Sequence, residues 1–309
     1  MFIINMSQNI IPEFTLNNIT DNLLDNIYSS FFDTYGCIIL KNIFEPNIMN
    51  EYNNWCYEFF NNPDNKQINN THPKQTDKMM INNIIEIMSV NNPELLLKLI
   101  NNNSLNQVLD KLLGFSCFGS VSCHCIKPKG NRQLSHVDYP MHVGSGTFWQ
   151  NNPNLIDKYI TEYQLNNILP YYSVQCLIAS DAMSKHNGST EIIPTSHLIP
   201  NIDKKIHNKD FYNSIDDKFI NANLEQGDVL LFNRRLIHRG GHNLSNENRN
   251  SLIIQYVWLF GIPQHQNNYE KIYNNLISNN YFKNLNDDEK NTLLLRIKQP
   301  YPINTTIHN

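Results

Sequence analysis

Beyond Gly114 the sequence changes texture, and no other feature constrains the fold as much. Short β-prone runs alternate with turn-rich stretches at 117–126, 171–180, 190–194, 228–232 and 251–260. Several such runs with turn signals between them predict a β-sandwich or barrel. No self-similar period runs through the chain, which argues against a repeat architecture.

The preceding part has a different period. Leu23, Leu24, Ile27, Phe31 and Phe32 fall at helical spacing within residues 20–33, with Thr20 and Asp21 available as caps. Tyr35-Gly36 breaks that helix, and Cys37–Leu40 reads as a short buried strand. Pro46 opens a second helix, with Met49, Tyr52, Trp55, Cys56 and Phe59 on one stripe. Residues 61–78 are polar and read as a loop. Helical periodicity returns at 79–89 and 94–113 and stops at Gly114. The tail, 266–299, again has helical spacing (Tyr269, Ile272, Tyr273, Leu276, then Leu293, Leu294, Ile297) and is expected to pack outside the core. No Gly/Ser linker separates these parts. The expected organisation is one domain: a helical support over about 1–114, a β core over about 115–262 and a helical tail over about 263–309.

Composition narrows the setting. A chain of 309 residues, 40% hydrophobic, can bury a core without disulfide or metal staples. Its net charge of −4 has the wrong sign for a protein held mainly to nucleic acid or an anionic membrane. The opening MFIINMSQNIIPEF lacks the basic and apolar regions of a secretory signal, and no apolar run is long enough to span a bilayer. The six cysteines follow no disulfide-framework or CxxC spacing, so a reduced, cytoplasmic setting is expected. The many asparagines read as the base composition of an AT-rich genome rather than as a prion-like tract.

Three segments of the β region carry chemistry. In Leu134-Ser-His136-Val-Asp138, an extended backbone would turn the imidazole and the carboxylate to one side. Alone, His-x-Asp is unspecific in a chain with 11 histidines. In the second segment, Gly227-Asp228 leads into an apolar strand ending at His238. The third, 239–248, is turn-rich, and Arg249 then begins another β-prone run. A hairpin would return Arg249 to the strand carrying His238. Two histidines and a carboxylate make the facial triad of non-haem Fe(II) sites, and an arginine can hold a carboxylate bidentately. Together these are the requirements of a 2-oxoglutarate-dependent oxygenase.

At this point the chain resembles the phytanoyl-CoA dioxygenase (PhyH) family. His136-Val-Asp138 is followed by Asn187-Gly188-Ser-Thr-Glu-Ile-Ile-Pro194-Thr-Ser196-His197, then Gly227-Asp228 with Phe232, then His238, Asn243 and Arg249. The offsets from His238 to Asn243 and Arg249 match the family's, and Phe32 to Phe44 resembles its opening helix, glycine and strand. The resemblance spans about residues 20–262. It implies an α+β chain, mainly β with flanking helices, built on a double-stranded β-helix (jelly-roll, cupin-like) core. It further implies Fe(II), 2-oxoglutarate and O2 as cofactor and cosubstrates. His136, Asp138 and His238 would be the iron ligands, Arg249 the anchor of the 2-oxoglutarate distal carboxylate, and hydroxylation of a small-molecule substrate the reaction. Halogenating relatives lack the acidic ligand, which Asp138 supplies here. Two positions depart from phytanoyl-CoA hydroxylase: Gly240 replaces a serine and Leu177 a tryptophan, which loosens the inference about cosubstrate packing and substrate.

Other residues invite a functional reading beside a plainer one. His142 and Trp149 are candidate substrate contacts or ordinary loop and packing residues. Cys123-His124-Cys125 lacks a second pair at zinc-finger spacing and reads as buried strand. His197 and Asp228 read as turn residues. Lys127, Lys129, Arg132, Arg234 and Arg235 would attract an anionic substrate or simply be solvated. Two alternatives remain open: a non-catalytic jelly-roll binding protein, and a cupin-like metalloenzyme that does not use 2-oxoglutarate.

Overall fold

A computed structural model describes residues 10–65, 70–72, 75–82, 84–114, 116–138, 173–200, 202–258 and 269–297. Two sheets lie face to face. The larger has eight strands, β1 (Glu13–Thr15), β2 (Cys37–Lys41), β3 (Asn70–His72), β4 (Gln75–Ile81), β5 (Ser116–Ile126), β6 (Ser173–Ile178), β9 (Val229–Asn233) and β11 (Arg249–Trp258). They are ordered β1-β2-β9-β6-β11-β5-β4-β3. The smaller is β10 (His238–Gly240), β7 (Thr190–Ile192) and β8 (Ile220–Asn221), in that order. Every pairing is antiparallel except β1 with β2. This is the jelly roll that the sequence implied.

Alternation along each strand decides which layer it serves. Val174, Cys176 and Ile178 of β6, with Leu252, Ile254 and Tyr256 of β11, enter the core shared with the helices. Leu177 of β6, Leu230 and Phe232 of β9 and Ile39 of β2 turn the other way and meet Ile192 of the small sheet. The second face is therefore the inside of the sandwich.

The helical support is α1 (Asp21–Ser29), α2 (Pro46–Asn61), α3 (Ile84–Asn91), α4 (Pro93–Ile100) and α5 (Asn103–Leu113). Thr20 Oγ1 caps α1 by accepting from Leu23 N at 3.2 Å, and a wider turn over Ser30–Tyr35 carries the helix on to Gly36. Asn101 and Asn102 divide the expected 94–113 helix in two, because the Asn102 side chain caps α5 through Leu105 N.

Three expectations need correction. The polar stretch 61–78 is not only loop: β3 and β4 form a hairpin that extends the large sheet, and β4 takes Met79–Ile81 out of the expected helix. Its register is set by pairing with β5, which polarity does not reveal. Nor do the C-terminal helices (Tyr269–Ile277, Asn280–Asn284, Asp287–Ile297) lie outside the core. Ile272, Leu276, Leu293 and Ile297 are fully buried in the same cluster as the β5 and β11 side chains. Finally, β9 and the strand of His238 are separate. Asn233 through Leu236 form a turn, so β9 stays in the large sheet while β10 crosses to the small one.

The N-terminal part is tied to the jelly roll at two turns. Gly36 has φ +76°, and a Cβ there would strike the buried His197 ring, whose Nε2 lies 2.9 Å from the carbonyl oxygen of Phe32. Asp228, fully buried, pairs with Lys41 and accepts from Asn42 N and Glu225 N, both at 2.9 Å. His197 and Asp228 are thus structural, as the sequence suggested. Replacing Asp228 by alanine strands two N–H donors and one ammonium. The expected loss is about 3 kcal/mol of folding stability. Urea unfolding checks it, and a loss below about 1 kcal/mol would contradict this role.

Candidate active site

The site begins as a backbone pairing. Residues 133–138 run antiparallel to 234–240. His136 N donates to His238 O and His238 N to His136 O, both at 3.0 Å, while Asp138 N donates to Arg234 O at 2.9 Å. Directly opposed residues in such a pair put their side chains on one face. Alternation then brings Asp138, two residues on, to the same face.

The side chains converge accordingly. His136 Nε2 lies 3.8 Å from Asp138 Oδ1, and His238 Nε2 lies 3.7 Å from Asp138 Oδ2. The ligand atoms of the three residues are all within 4.8 Å of one another. Each histidine Nδ1 sits 2.9 Å from a carbonyl oxygen two residues back, Leu134 O for His136 and Leu236 O for His238. Donation from Nδ1 leaves the Nε2 lone pair of each ring facing Asp138.

The electrostatics suit a cation. Burial pulls the His238 imidazole down to about 4, with a smaller push from His136, so the ring is neutral at pH 7. Burial alone would raise the Asp138 carboxyl. His238, Arg234 and His136, with the Gln175 amide, outweigh it and hold the group well below the usual carboxylate range. Gln175 Nε2 donates to Asp138 Oδ2 at 2.9 Å. A carboxylate and two imidazoles form the donor set of a 2-His-1-carboxylate iron site, so the residues fit the metal that the sequence implied.

A second layer fixes the segment that carries His136. Arg239 pairs with Glu191 and with Asp216, at 2.6 Å to the latter, and its guanidinium carbon lies 3.8 Å from the Phe219 ring centroid. Arg132 reaches the other Glu191 oxygen at 3.0 Å. Gly240 N donates to Gln133 Oε1 at 2.7 Å. A Cβ at Gly240 would lie 2.8 Å from that oxygen, so the serine of phytanoyl-CoA hydroxylase would displace Gln133 here.

The expected hairpin between His238 and Arg249 does not form. β10 belongs to the small sheet and β11 to the large one, and the turn between them is gathered by the buried Asn243. Its Nδ2 donates to Ile126 O, Lys127 O and Glu247 O, while its Oδ1 accepts from Ser245 N and Oγ. Asn187 bridges to Asn243, and Gly188, at φ +79°, lets the two turns approach. The matched spacing from His238 to Arg249 is therefore a crossover of fixed length from one sheet to the other.

Arg249 is buried on the inner face. Nη1 donates to Ser251 Oγ at 3.0 Å and lies 3.6 Å from Met183 Sδ, while Nη2 donates to Gly188 O at 2.9 Å. Its Nε has no acceptor, and no described carboxylate lies within ion-pair distance. Burial lowers its pKa to about 10, which leaves it cationic at pH 7. Asp181, the nearby acid, is committed to Asn250 N and Asn53 Nδ2, both at 2.7 Å. A buried guanidinium with a spare donor and no anion of its own suits the distal carboxylate of 2-oxoglutarate.

Other candidates separate cleanly. His142 and Trp149 lie outside the described residues. His242 takes no part in the cluster around Asp138. Cys123 and Cys125 are buried, and Cys123 Sγ lies 3.3 Å from Cys56 Sγ, so they read as buried strand residues. Lys129 donates to Leu244 O. Arg234 and Arg235 are buried rather than solvated. Sequence reasoning passed over Gln175 and undervalued Arg234. Two arginines one residue beyond the apolar run Val229–Phe232 were a usable signal, whereas nothing marked Gln175 among the strand residues.

A sequence profile of the phytanoyl-CoA dioxygenase (PhyH) family matches residues 32–251. The chain belongs to that family. It is accordingly an iron- and 2-oxoglutarate-dependent enzyme. No curated protein is significantly similar to it in sequence. Among solved structures, this PhyH-family chain is similar to the non-heme alpha-ketoglutarate-dependent epimerase SnoN from nogalamycin biosynthesis (12% identity, TM-score 0.57, 78% of this chain and 82% of that one). The carbocyclase SnoK from the same biosynthesis is also similar (15% identity, TM-score 0.57, 81% and 88%). At these identities the likeness is one of fold. Among the described residues of this PhyH-family chain, no helix is long and apolar enough to cross a membrane.

Proposed function

We propose that this chain hydroxylates a small-molecule substrate, with Fe(II) held by His136, Asp138 and His238 and the distal carboxylate of 2-oxoglutarate held by Arg249. The observation that carries the reading is the mutual backbone pairing of His136 and His238, which puts both free Nε2 atoms against Asp138. The buried Arg249 guanidinium on the inner face, whose Nε has no acceptor and which has no carboxylate partner among the described residues, completes it.

Each residue has a definable task. The two Nδ1 contacts hold the tautomer and the ring planes. Gln175 orients the Asp138 carboxylate. Arg249 and Ser251 offer N–H and O–H donors to the cosubstrate's far end. Phe232, its ring centroid 4.8 Å from that of His238, and Leu177 supply an apolar wall that excludes water. When bound, Fe(II) and 2-oxoglutarate supply oxygen activation, with one O2 atom entering succinate, the other entering the substrate and CO2 released. Retention of Asp138 favours hydroxylation over halogenation, since no ligand position is vacated for chloride. The structural neighbours SnoN and SnoK are named as an alpha-ketoglutarate-dependent epimerase and carbocyclase, so the fold also serves other outcomes.

A metabolite extract added to the Fe(II)-loaded enzyme with 2-oxoglutarate is expected to raise succinate release above the substrate-free rate. One hydroxylated product should form per succinate. Binding of Fe(II) and 2-oxoglutarate with no succinate from any extract would instead indicate a binding protein on the same fold.

A further inference from the structure

Arg234 occupies an unusual position for a charged side chain. It is 4% exposed and stands in the turn between β9 and β10. Its Nη2 donates to the main-chain oxygen of Asp138 at 3.0 Å, and its Nε lies 4.0 Å from Asp138 Oδ2, too far for a hydrogen bond. Neither Nε nor Nη1 has an acceptor. Arg239, Arg249 and Arg296 leave at most one buried nitrogen unpaired, against two for Arg234. Arg239 spends its donors on Glu191 and Asp216, and Arg296 holds Asp110 at 2.8 Å. Arg235 donates to Ile199 O.

A buried donor left unpaired costs about 1–3 kcal/mol, and more on a charged group. The only carboxylate recorded within ion-pair distance of Arg234, among the described residues, is that of Asp138. A divalent ion at the triad would claim that carboxylate as well, leaving the guanidinium without a counter-ion of its own. Arg249 cannot be the same subsite, because its partners are Ser251, Met183 and Gly188, on β11 and the two turns beside it. The active site thus holds a second unsatisfied cation, against the acidic ligand. A planar guanidinium with free donors matches the oxygens of a carboxylate or a phosphate.

We propose that Arg234 is a specificity residue that binds an oxyanion of the substrate to be oxidised, so that the substrate is a carboxylate or a phosphate ester. This rests on the proposed iron and 2-oxoglutarate site. The test compares wild type with Arg234→Gln and Arg234→Lys, each loaded anaerobically with Fe(II) and 2-oxoglutarate. The visible metal-to-ligand absorption band reports that site without any substrate. An extract is then split by anion exchange into retained and unretained fractions, and succinate release is measured with each. The retained fraction is expected to stimulate the wild-type enzyme and the unretained fraction not to. Arg234→Gln should still develop the band, which also shows it is folded, and should lose about 100-fold in kcat/KM. Arg234→Lys should recover part of that loss. Phosphatase treatment of the retained fraction separates a phosphate ester, whose stimulation it destroys, from a carboxylate, whose stimulation survives. Stimulation by the unretained fraction, or an Arg234→Gln enzyme as active as wild type, would overturn the proposal. Loss of the band in Arg234→Gln alone would also overturn it and make Arg234 a positioning residue for Asp138. A wild-type protein without the band refutes the site assignment itself, which is a different failure.

Discussion

His238→Ala protein is expected to release no substrate-stimulated succinate and to lose stoichiometric Fe(II). Of the three ligand residues, His238 is the most buried, its ring is kept neutral by that burial, and its Nδ1 is fixed on Leu236 O. Among the described residues no other histidine belongs to the cluster. Metal catalysis of this kind supplies several kcal/mol, so the expected loss is about a thousandfold or more. Succinate assays with equilibrium dialysis of Fe(II) measure both effects, and circular dichroism checks the fold. His136→Ala should behave alike. Its ring is more exposed, so its removal opens less of a cavity and serves as the control for folding. Succinate release in proportion to product by either variant would sink the ligand assignment.

Arg249→Gln should act on the cosubstrate and leave the metal in place. Its guanidinium has three described acceptors and no carboxylate, so the strongest interaction open to it is one that a ligand brings. Truncating one partner of a buried, hydrogen-bonded charge pair costs about 2–5 kcal/mol. The 2-oxoglutarate KM should therefore rise by about a hundredfold or more. A sharper version uses 2-oxovalerate, which keeps the chelating end and lacks the distal carboxylate. Wild type should prefer 2-oxoglutarate strongly, and Arg249→Gln should lose most of that preference, because the variant removes only the interaction that distinguishes the two acids. An unchanged preference would place the distal carboxylate elsewhere.

The two charged anchors differ in how far the sequence exposed them. Arg249 was legible because its distance from His238 matches a family spacing, even though the hairpin drawn from the turn-rich stretch 239–248 was wrong. The eleven-residue offset encodes a crossover between sheets, and Asn243, which looked like one more asparagine, is what gathers that crossover. Arg234 was legible only as a charge near the motif. Its burial follows from the turn that separates β9 from β10, and no local pattern announces that an apolar run splits between two sheets. Strands β5, β6, β9 and β11 were visible because alternation and bounding turns are local properties. The β3–β4 hairpin was not, since its residues are polar and its order comes from pairing with β5. Similar logic applies to the C-terminal helices. Their spacing showed helix, while their burial depends on a gap beside β5 and α3 that only the assembled core creates. Gln175 is one polar position on a strand whose inward face also holds Leu177, and its role exists only through Asp138.

The most direct test of the central claim is an anaerobic titration of the metal-free protein with Fe(II) and then 2-oxoglutarate, followed by visible absorption. The arrangement of His136, Asp138, His238 and Arg249 predicts a metal-to-ligand band that saturates at one equivalent of each in wild type. The band should be absent in His238→Ala and should need about a hundredfold more 2-oxoglutarate in Arg249→Gln. A wild-type protein that binds Fe(II) without developing the band, or a His238→Ala protein that develops it at the wild-type midpoint, would contradict the account.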